Sequence, residues 1–382
     1  MKDFYLKTTP HTWAEIDLEA IRRNLREIRR LTLSASSKPF EILAVVKADA
    51  YGHGMKEVTL LLQKEGINAF GVSDLAEGIY LRESGIKKSI LLLESTLPKS
   101  AKEIIRYRLT PTVCTLELAK TLDRYAQRMK QNVPIHIKID TGMGRLGIWH
   151  KEALSFVQDI HRLRCLTIDG IYTHFPSADM DRKFTQKQIE QLRNPAEKLN
   201  KQGFAVPYIH AANSMGLAAY KTDLLNLARP GLMIYGLYPH LGLKKKINLK
   251  PAMSVRSKII FLKKITRGRS ISYARTFIAP HNMTVATIPI GYSDGYSRRF
   301  SNKASVLIAG RRCPIVGRVT MDQIVVDVSL VKNVRLEMPV VILGRQAEES
   351  ITADELASYS ETINYEIVCQ LGNRLPRVYK GN

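Results

Sequence analysis

Cysteine is scarce in this 382-residue chain: Cys114, Cys165, Cys313 and Cys369 lie far apart, with no C-x-x-C pair. That spacing offers neither a disulfide framework nor a zinc site, and it suits a reducing cytoplasm. No apolar stretch approaches the roughly 18 residues of a membrane span. The opening Met1 to Lys7 is not followed by an apolar h-region, so no secretory signal is expected. Acidic residues are also in short supply, 35 against 58 lysines and arginines, which leaves a formal charge of +23. Such an excess is compatible with nucleic-acid or anionic-membrane binding. Yet the bases are spread along the chain, and the longest pure run is only Lys244-Lys245-Lys246. No aromatic-interleaved basic segment accompanies them. They read as a solvated surface, with neither nucleic acid nor membrane as a partner.

What is present is the composition of a folded protein with a sizeable core, 45% hydrophobic and 24% charged. The length suggests two or three domains at roughly 150 residues each. From residue 41 to about 236, short β-like runs alternate with helical periodicity. The strand candidates are 42–46, 69–72, 89–93, 110–114, 135–139, 168–172, 208–210 and 225–228. Amphipathic stretches such as 116–129 and 184–199 separate them, and Leu18, Ile21, Leu25 and Ile28 mark an earlier helix. Eight strand-helix units in about 200 residues imply an α/β fold built on a TIM-like (β/α)8 barrel. The barrel domain is placed at 1–240. Residues 240–250 read as a linker, and 250–382 as a mainly β domain. Its expected strands are 255–262, 284–290, 305–308, 323–328 and 340–343, with a single helix near 352–360 capped by Thr352.

The most informative stretch is Ala44-Val45-Val46-Lys47-Ala48-Asp49-Ala50-Tyr51-Gly52-His53-Gly54. A lysine at the carboxyl end of a buried strand is costly as an ammonium and tends to lose its proton. A neutral amine there forms a Schiff base with an aldehyde, of which pyridoxal phosphate is the commonest biological example. In a barrel, chemistry belongs at the carboxyl ends of the strands. Four more polar segments fall at such ends: Lys138 to Arg145, Thr173-His174-Phe175, His210 to Ser214, and Ala228 to Gly231. Ser214, Gly231 and Leu232 lie where barrels commonly hold phosphate, after the last two strands.

The lysine segment resembles the cofactor-lysine motif of the alanine racemases, and later segments extend the likeness over nearly the whole chain. The resemblance implies a homodimer that uses pyridoxal 5'-phosphate to interconvert L- and D-alanine for peptidoglycan. It implies that residues around Trp13 to Asp17 join the carboxyl-terminal domain. It assigns phosphate contacts to Ser214, Gly231 and Leu232, with hydroxyls from Tyr51 and Tyr365, and it places Asn213 beside them. Arg229 is expected to face the pyridine nitrogen, supported by His174. Racemisation needs a base on each face of Cα. Lys47 is implied for one face and Tyr273, in Ser270 to Thr276, for the other. A phenol is a poor base at neutral pH unless cations lie beside it. The substrate carboxylate is assigned to Arg145 and to the Met321 N–H. Tyr292 is implied at the entrance with Tyr365, and Lys138 matches a position carbamylated in some relatives. In the family, the equivalents of Tyr273 and Met321 come from the partner subunit.

Other readings differ at identifiable residues. A broader small-amino-acid racemase would share all of them, and a small pocket discriminates weakly against one added hydroxyl, as in serine. A non-catalytic barrel carrying the same cofactor would lack the β domain and Tyr273. A barrel decarboxylase would not need Tyr273 or an arginine at the ring nitrogen.

Overall fold

A computed structural model describes residues 10–35, 40–371 and 374–381, and it separates into two compact units. The first comprises residues 22–50 and 55–250, and the second 1–21, 51–54 and 251–382. Residues 1–9 of the segment expected to join the β domain lie outside the described residues.

The larger unit is a nearly closed barrel. Its strands are β2 (Glu41–Val45), β3 (Ala69–Val72), β4 (Ser89–Ser95), β5 (Thr110–Val113), β6 (Val133–Asp140), β7 (Leu166–Tyr172), β8 (Tyr208–His210) and β9 (Leu227–Ala228); β1 belongs to the other unit. All pairings are parallel and sequential, with β9 returning to β2. A parallel bridge between Asn213 and Arg229 adds a contact just past β8 and β9. Parallel strands covered by helices are buried on both faces, which is why they appear as plain apolar runs. The helices Leu116–Met129 and Arg182–Lys201 fall where periodicity placed them, capped by Thr115 and Asp181. Leu18, Ile21, Leu25 and Ile28 are all buried on the helix Leu18–Ala35, as their spacing predicts. The expected linker is tied down rather than free. Asn24 exchanges hydrogen bonds with the Lys250 backbone, and Arg30 donates to Lys246 O at 2.8 Å.

The second unit is mainly β. Strand β1 (Trp13–Asp17) sits between β10 (Met253–Lys258), antiparallel, and β17 (Arg377–Lys380), parallel. The same sheet continues through β16 (Pro339–Gln346) and β13 (Ser305–Ile308) to β14 (Arg311–Pro314). A second sheet holds β11 (Phe261–Ile265), β12 (Met283–Ile288) and β15 (Ile324–Asp327). Two expectations are corrected here. The run 255–262 is not one strand, because the chain leaves one sheet after Lys258 and enters the other at Phe261. Ile259 N donates to Met338 O and Ile260 N to Thr287 O, so adjacent residues serve different sheets. The helix Ala353–Ser360, capped by Thr352, is not single, since Asn364–Gln370 follows it and carries Tyr365.

Candidate active site

At the carboxyl end of β2 the backbone does something unusual. Ala48, Asp49, Ala50 and Tyr51 all have φ between 53° and 55°, a left-handed turn made without glycine. Each such residue costs about 1–2 kcal/mol. The turn is held by carboxylates: Glu77 accepts from Ala48 N at 2.7 Å and from Ser73 N at 2.7 Å, and Asp49 accepts from Met55 N at 2.8 Å. Strain held by its surroundings is typical of functional positions. Lys47 therefore leaves the strand end at a fixed angle. It is half-buried, a correction to the buried lysine expected.

Arg229, just past β9, is held on several sides at once. Its guanidinium is buried and donates to His210 Nδ1 (2.6 Å), Thr173 O (2.8 Å), Ala211 O (3.2 Å) and His174 Nδ1 (3.4 Å). Its face lies 5.1 Å from the centre of the Tyr172 ring, which also receives Lys138 Nζ at 4.8 Å. Burial lowers the guanidinium to about 10, so it stays charged at neutral pH. Burial, then Arg229, holds both His174 and His210 well below the usual imidazole range. Both imidazoles are neutral acceptors here.

The phosphate candidates converge at the same rim. Ser214 Oγ accepts from Gly231 N at 3.2 Å and Met233 N at 3.5 Å. Leu232 opens the short 3-10 segment Leu232–Tyr235, and the Tyr235 hydroxyl donates to Val45 O at 2.9 Å. Asn213 caps the helix Ser214–Ala219 by accepting from Gly216 N at 2.8 Å.

The loop after β6 needs its glycines. Gly142, Gly144 and Gly147 have φ of 128°, 69° and 122°, and a Cβ on Gly147 would meet Lys138 Cγ at 2.9 Å. Asp140 accepts from Gly142 N and Gly144 N, leaving Arg145 exposed on the loop. Lys138 itself is buried. Burial lowers its ammonium to about 7, Arg229 and Arg145 push the same way, and Cys114 and Asp140 oppose them. A folded value below the unfolded one penalises the charged form in the fold. The penalty is complete below about pH 7 and fades as pH rises toward 10.5. Lys138→Met is therefore expected to raise Tm clearly near pH 6 and progressively less by pH 9. Calorimetry of cofactor-free protein across that range checks it; a gain independent of pH would refute the assignment.

In the smaller unit, the Tyr51 and Tyr365 rings lie 6.2 Å apart, and burial raises the Tyr51 phenol. Tyr273, Tyr292 and Met321 are exposed, at 69%, 45% and 54%. Tyr273 is flanked by Ser272 and Ala274 with φ of 63° and 56°, and Ser272 Oγ donates to Arg318 O at 2.7 Å. The Tyr292 turn is pressed against the Met321 loop. Tyr292 N donates to Thr320 O at 3.0 Å, and a Cβ on Gly291 would meet Met321 O at 2.2 Å. The structure thus brings Lys47, Lys138, His174, Asn213, Ser214, Arg229, Gly231 and Leu232 to one barrel rim, with Arg145 on its loop. It brings together Tyr51 with Tyr365, and Tyr292 with Met321, in the other unit.

Several participants were missed in the sequence. Glu77 gives no local signal. Tyr172 gives none either, and His210 was marked only as the start of a polar strand-end segment; His136 could have been found from alternation, since His136 and Lys138 are polar at every second position of an apolar strand, as for an inward face.

The site fits pyridoxal phosphate on its own chemistry. Lys47, Lys138, Arg145 and Arg229 act on one another or on His174 as like charges, and Asp140 offsets them only in part. Such a rim calls for anions. A phosphate and a substrate carboxylate would supply them, the phosphate at Ser214 and the N–H groups of Gly231 and Leu232. These features define a barrel enzyme with an amine at its mouth. The comparisons carry the assignment further. Residues 16–239 match the family model "Alanine racemase, N-terminal domain" and residues 252–379 match "Alanine racemase, C-terminal domain". An alanine racemase of Halothermothrix orenii is 40% identical, covering 98% of each chain. One of Carboxydothermus hydrogenoformans is 42% identical over 96% of this chain and 99% of its own. The solved alanine racemase of Clostridium difficile superposes with a TM-score of 0.91 at 35% identity, over 98% of this chain and 96% of that one. The chain belongs to the alanine racemase family, and it is an enzyme of the isomerase class.

Proposed function

We propose that this chain is a pyridoxal-phosphate-dependent racemase that interconverts L- and D-alanine by two bases and supplies D-alanine for peptidoglycan. The observation that carries the reading is the anion-deficient rim, with Lys47 at its edge and Arg229 fixed as a donor. When bound, pyridoxal phosphate takes up the electron pair left as the Cα proton departs. Lys47 holds the cofactor, and once displaced by substrate its amine moves a proton on one face. Tyr273 serves the other face. Ser214, the N–H groups of Gly231 and Leu232, and the Tyr51 and Tyr365 hydroxyls bind the phosphate, with Asn213 fixing the helix that carries Ser214. His174 accepts from Arg229 and keeps it pointed. Arg145 and the Met321 N–H bind the substrate carboxylate, and Tyr292 with Tyr365 narrows the entrance to a small side chain. Lys138, partly unprotonated near neutrality, is able to add carbon dioxide with release of a proton, and the resulting carbamate would orient Arg145.

Tyr273, Tyr292 and Met321 are exposed on their own unit, which supports a homodimer whose partner completes each site. Four separate thiols support cytoplasmic residence. Among the described residues no helix is long and apolar enough to cross a membrane.

The test is direct. Purified protein given pyridoxal phosphate should form a chromophore that borohydride fixes onto Lys47, and it should erase the circular dichroism of L-alanine. A chromophore without inversion would leave a carrier or a decarboxylase. Equal rates on serine would favour the broader racemase. Arg229 bears on side reactions, because a guanidinium donates a hydrogen bond but keeps its proton. Arg229→Glu is expected to give new long-wavelength absorbance and measurable transamination of alanine to pyruvate. An unchanged spectrum would remove Arg229 from the ring nitrogen.

A further inference from the structure

Behind Arg229 lies a polar chain whose direction can be worked out. The guanidinium can only donate, so His210 Nδ1 must be an unprotonated acceptor. A neutral imidazole carries its one proton on the other nitrogen, so His210 Nε2 donates to His136 Nδ1 at 2.8 Å. His136 Nδ1 is then an acceptor too, and its proton sits on Nε2, facing Asp169 Oδ2 at 3.7 Å. Donation runs one way, from the guanidinium through two imidazoles, and ends on an N–H that faces a carboxylate. An imidazolium at His136 would donate to His210 Nε2, force the His210 proton onto Nδ1, and set it against the guanidinium. The chain tolerates one arrangement of protons.

Two independent features build its outer end. In the β6–β7 pairing Ile135 faces Ile168, but the next residue, His136, faces Gly170, so Asp169 is an inserted, unpaired residue. A bulge of this kind re-aims a side chain, here toward His136 from a strand that would otherwise turn it away. Next to it, a Cβ on Gly170 would lie 2.7 Å from His136 Cε1 and Nδ1, so the ring sits there only because residue 170 is glycine. The other rings around His136 are Tyr172 at 6.4 Å and Tyr208 at 6.3 Å, both unionised at neutral pH. Burial lowers the His136 imidazole, which agrees with its neutral form.

We propose that Asp169 and His136 are positioning residues that, through His210, lock Arg229 in place as a charged donor. The part of this role that concerns the cofactor nitrogen rests on the reading given above. The proton arrangement does not, and it is read first.

The experiment uses 15N-histidine NMR of full-length protein without cofactor, then kinetics and absorbance of the loaded enzyme. Unaltered protein should show His136 and His210 both neutral with the proton on Nε2. Asp169→Ala leaves Arg229 to fix both tautomers but removes the carboxylate that faces the His136 Nε2 proton, so the His136 Nε2 resonance is expected to shift and its proton to exchange faster with solvent. Once loaded, the variant should show kcat lower by on the order of tenfold, as expected if the Arg229 donor is less firmly held. KM should stay within about twofold, and the cofactor absorbance should shift. Asp169→Asn keeps an acceptor without the charge and should fall between, which guards against a simple loss of fold in the alanine variant. An unchanged His136 Nε2 signal together with an unchanged kcat in both variants would overturn the proposal, as would an imidazolium at His136 in unaltered protein. If unaltered protein shows the expected tautomers but neither binds the cofactor nor inverts alanine, the functional reading fails while the proton arrangement stands.

Discussion

Lys47→Ala is expected to stop inversion of alanine, with a fall of at least about 10⁴-fold in the decay of L-alanine circular dichroism. Removing one acid–base group costs up to about 10⁴, and this amine is also the proposed covalent tether. The two roles can be separated. The other proposed cofactor ligands, Ser214, Gly231, Leu232 and Arg229, remain in the variant. Added pyridoxal phosphate should therefore still bind, with its free-aldehyde spectrum and no adduct to be trapped by borohydride. A small exogenous amine should restore part of the rate by replacing the missing base, a rescue that a collapsed barrel would not show. The position is demanding as well as the chemistry. Lys47 precedes four left-handed residues held by Glu77 and Asp49, so moving the lysine by one place should not restore activity. Inversion persisting in Lys47→Ala would end the two-base reading.

How much of this was legible in the sequence depends on which forces act locally. Most of the barrel strands were legible because they are largely buried and show as apolar runs with clear ends. Strand β8 at Tyr208–His210, only three residues long and half-buried at Tyr208 and Ile209, was placed as well. The β domain was less so. Strands β14, Arg-Arg-Cys-Pro, and β17, Arg-Val-Tyr-Lys, lie at the two edges of their sheet and are largely polar, so no hydrophobic alternation marks them. The sheet switch at Ile259-Ile260 was hidden because two adjacent apolar residues serve two sheets. The left-handed turn after Lys47 could not be foreseen, since alanine and tyrosine do not favour it and the carboxylate that holds it comes from Glu77, 29 residues away. The rim residues were found by position at strand ends and by likeness to a family. Of the column behind them, His210 was marked at its strand end, but His136 and Asp169 were not. Its outer member, Asp169, acquires its direction from a bulge, and a bulge leaves no mark on periodicity.

Tyr273→Phe is expected to separate exchange from inversion. The substitution removes one oxygen from a side chain that is 69% exposed on its own unit, so the fold should be barely affected and Tm should move by no more than about 1 °C. Chemistry should change far more. With the phenol gone, one face of Cα loses its proton donor and acceptor, and inversion should fall by about 10²–10⁴-fold in both directions. The amine of Lys47 remains on the opposite face. In deuterated water, the enantiomer whose α-hydrogen points to that face should still exchange it, while the other should not. Proton NMR of L- and D-alanine incubated separately would show this asymmetry, whereas the unaltered enzyme should exchange both. If both enantiomers keep exchanging at equal rates, the second base is another group. If both stop, Tyr273 is needed for more than proton transfer on its own face. The proposed origin of the tyrosine in the partner subunit adds a further check. Mixing inactive Lys47→Ala and Tyr273→Phe chains should regenerate one intact site per mixed dimer if the two residues come from different subunits. If both bases came from the same chain, no mixed dimer would carry an intact site, and activity would not return.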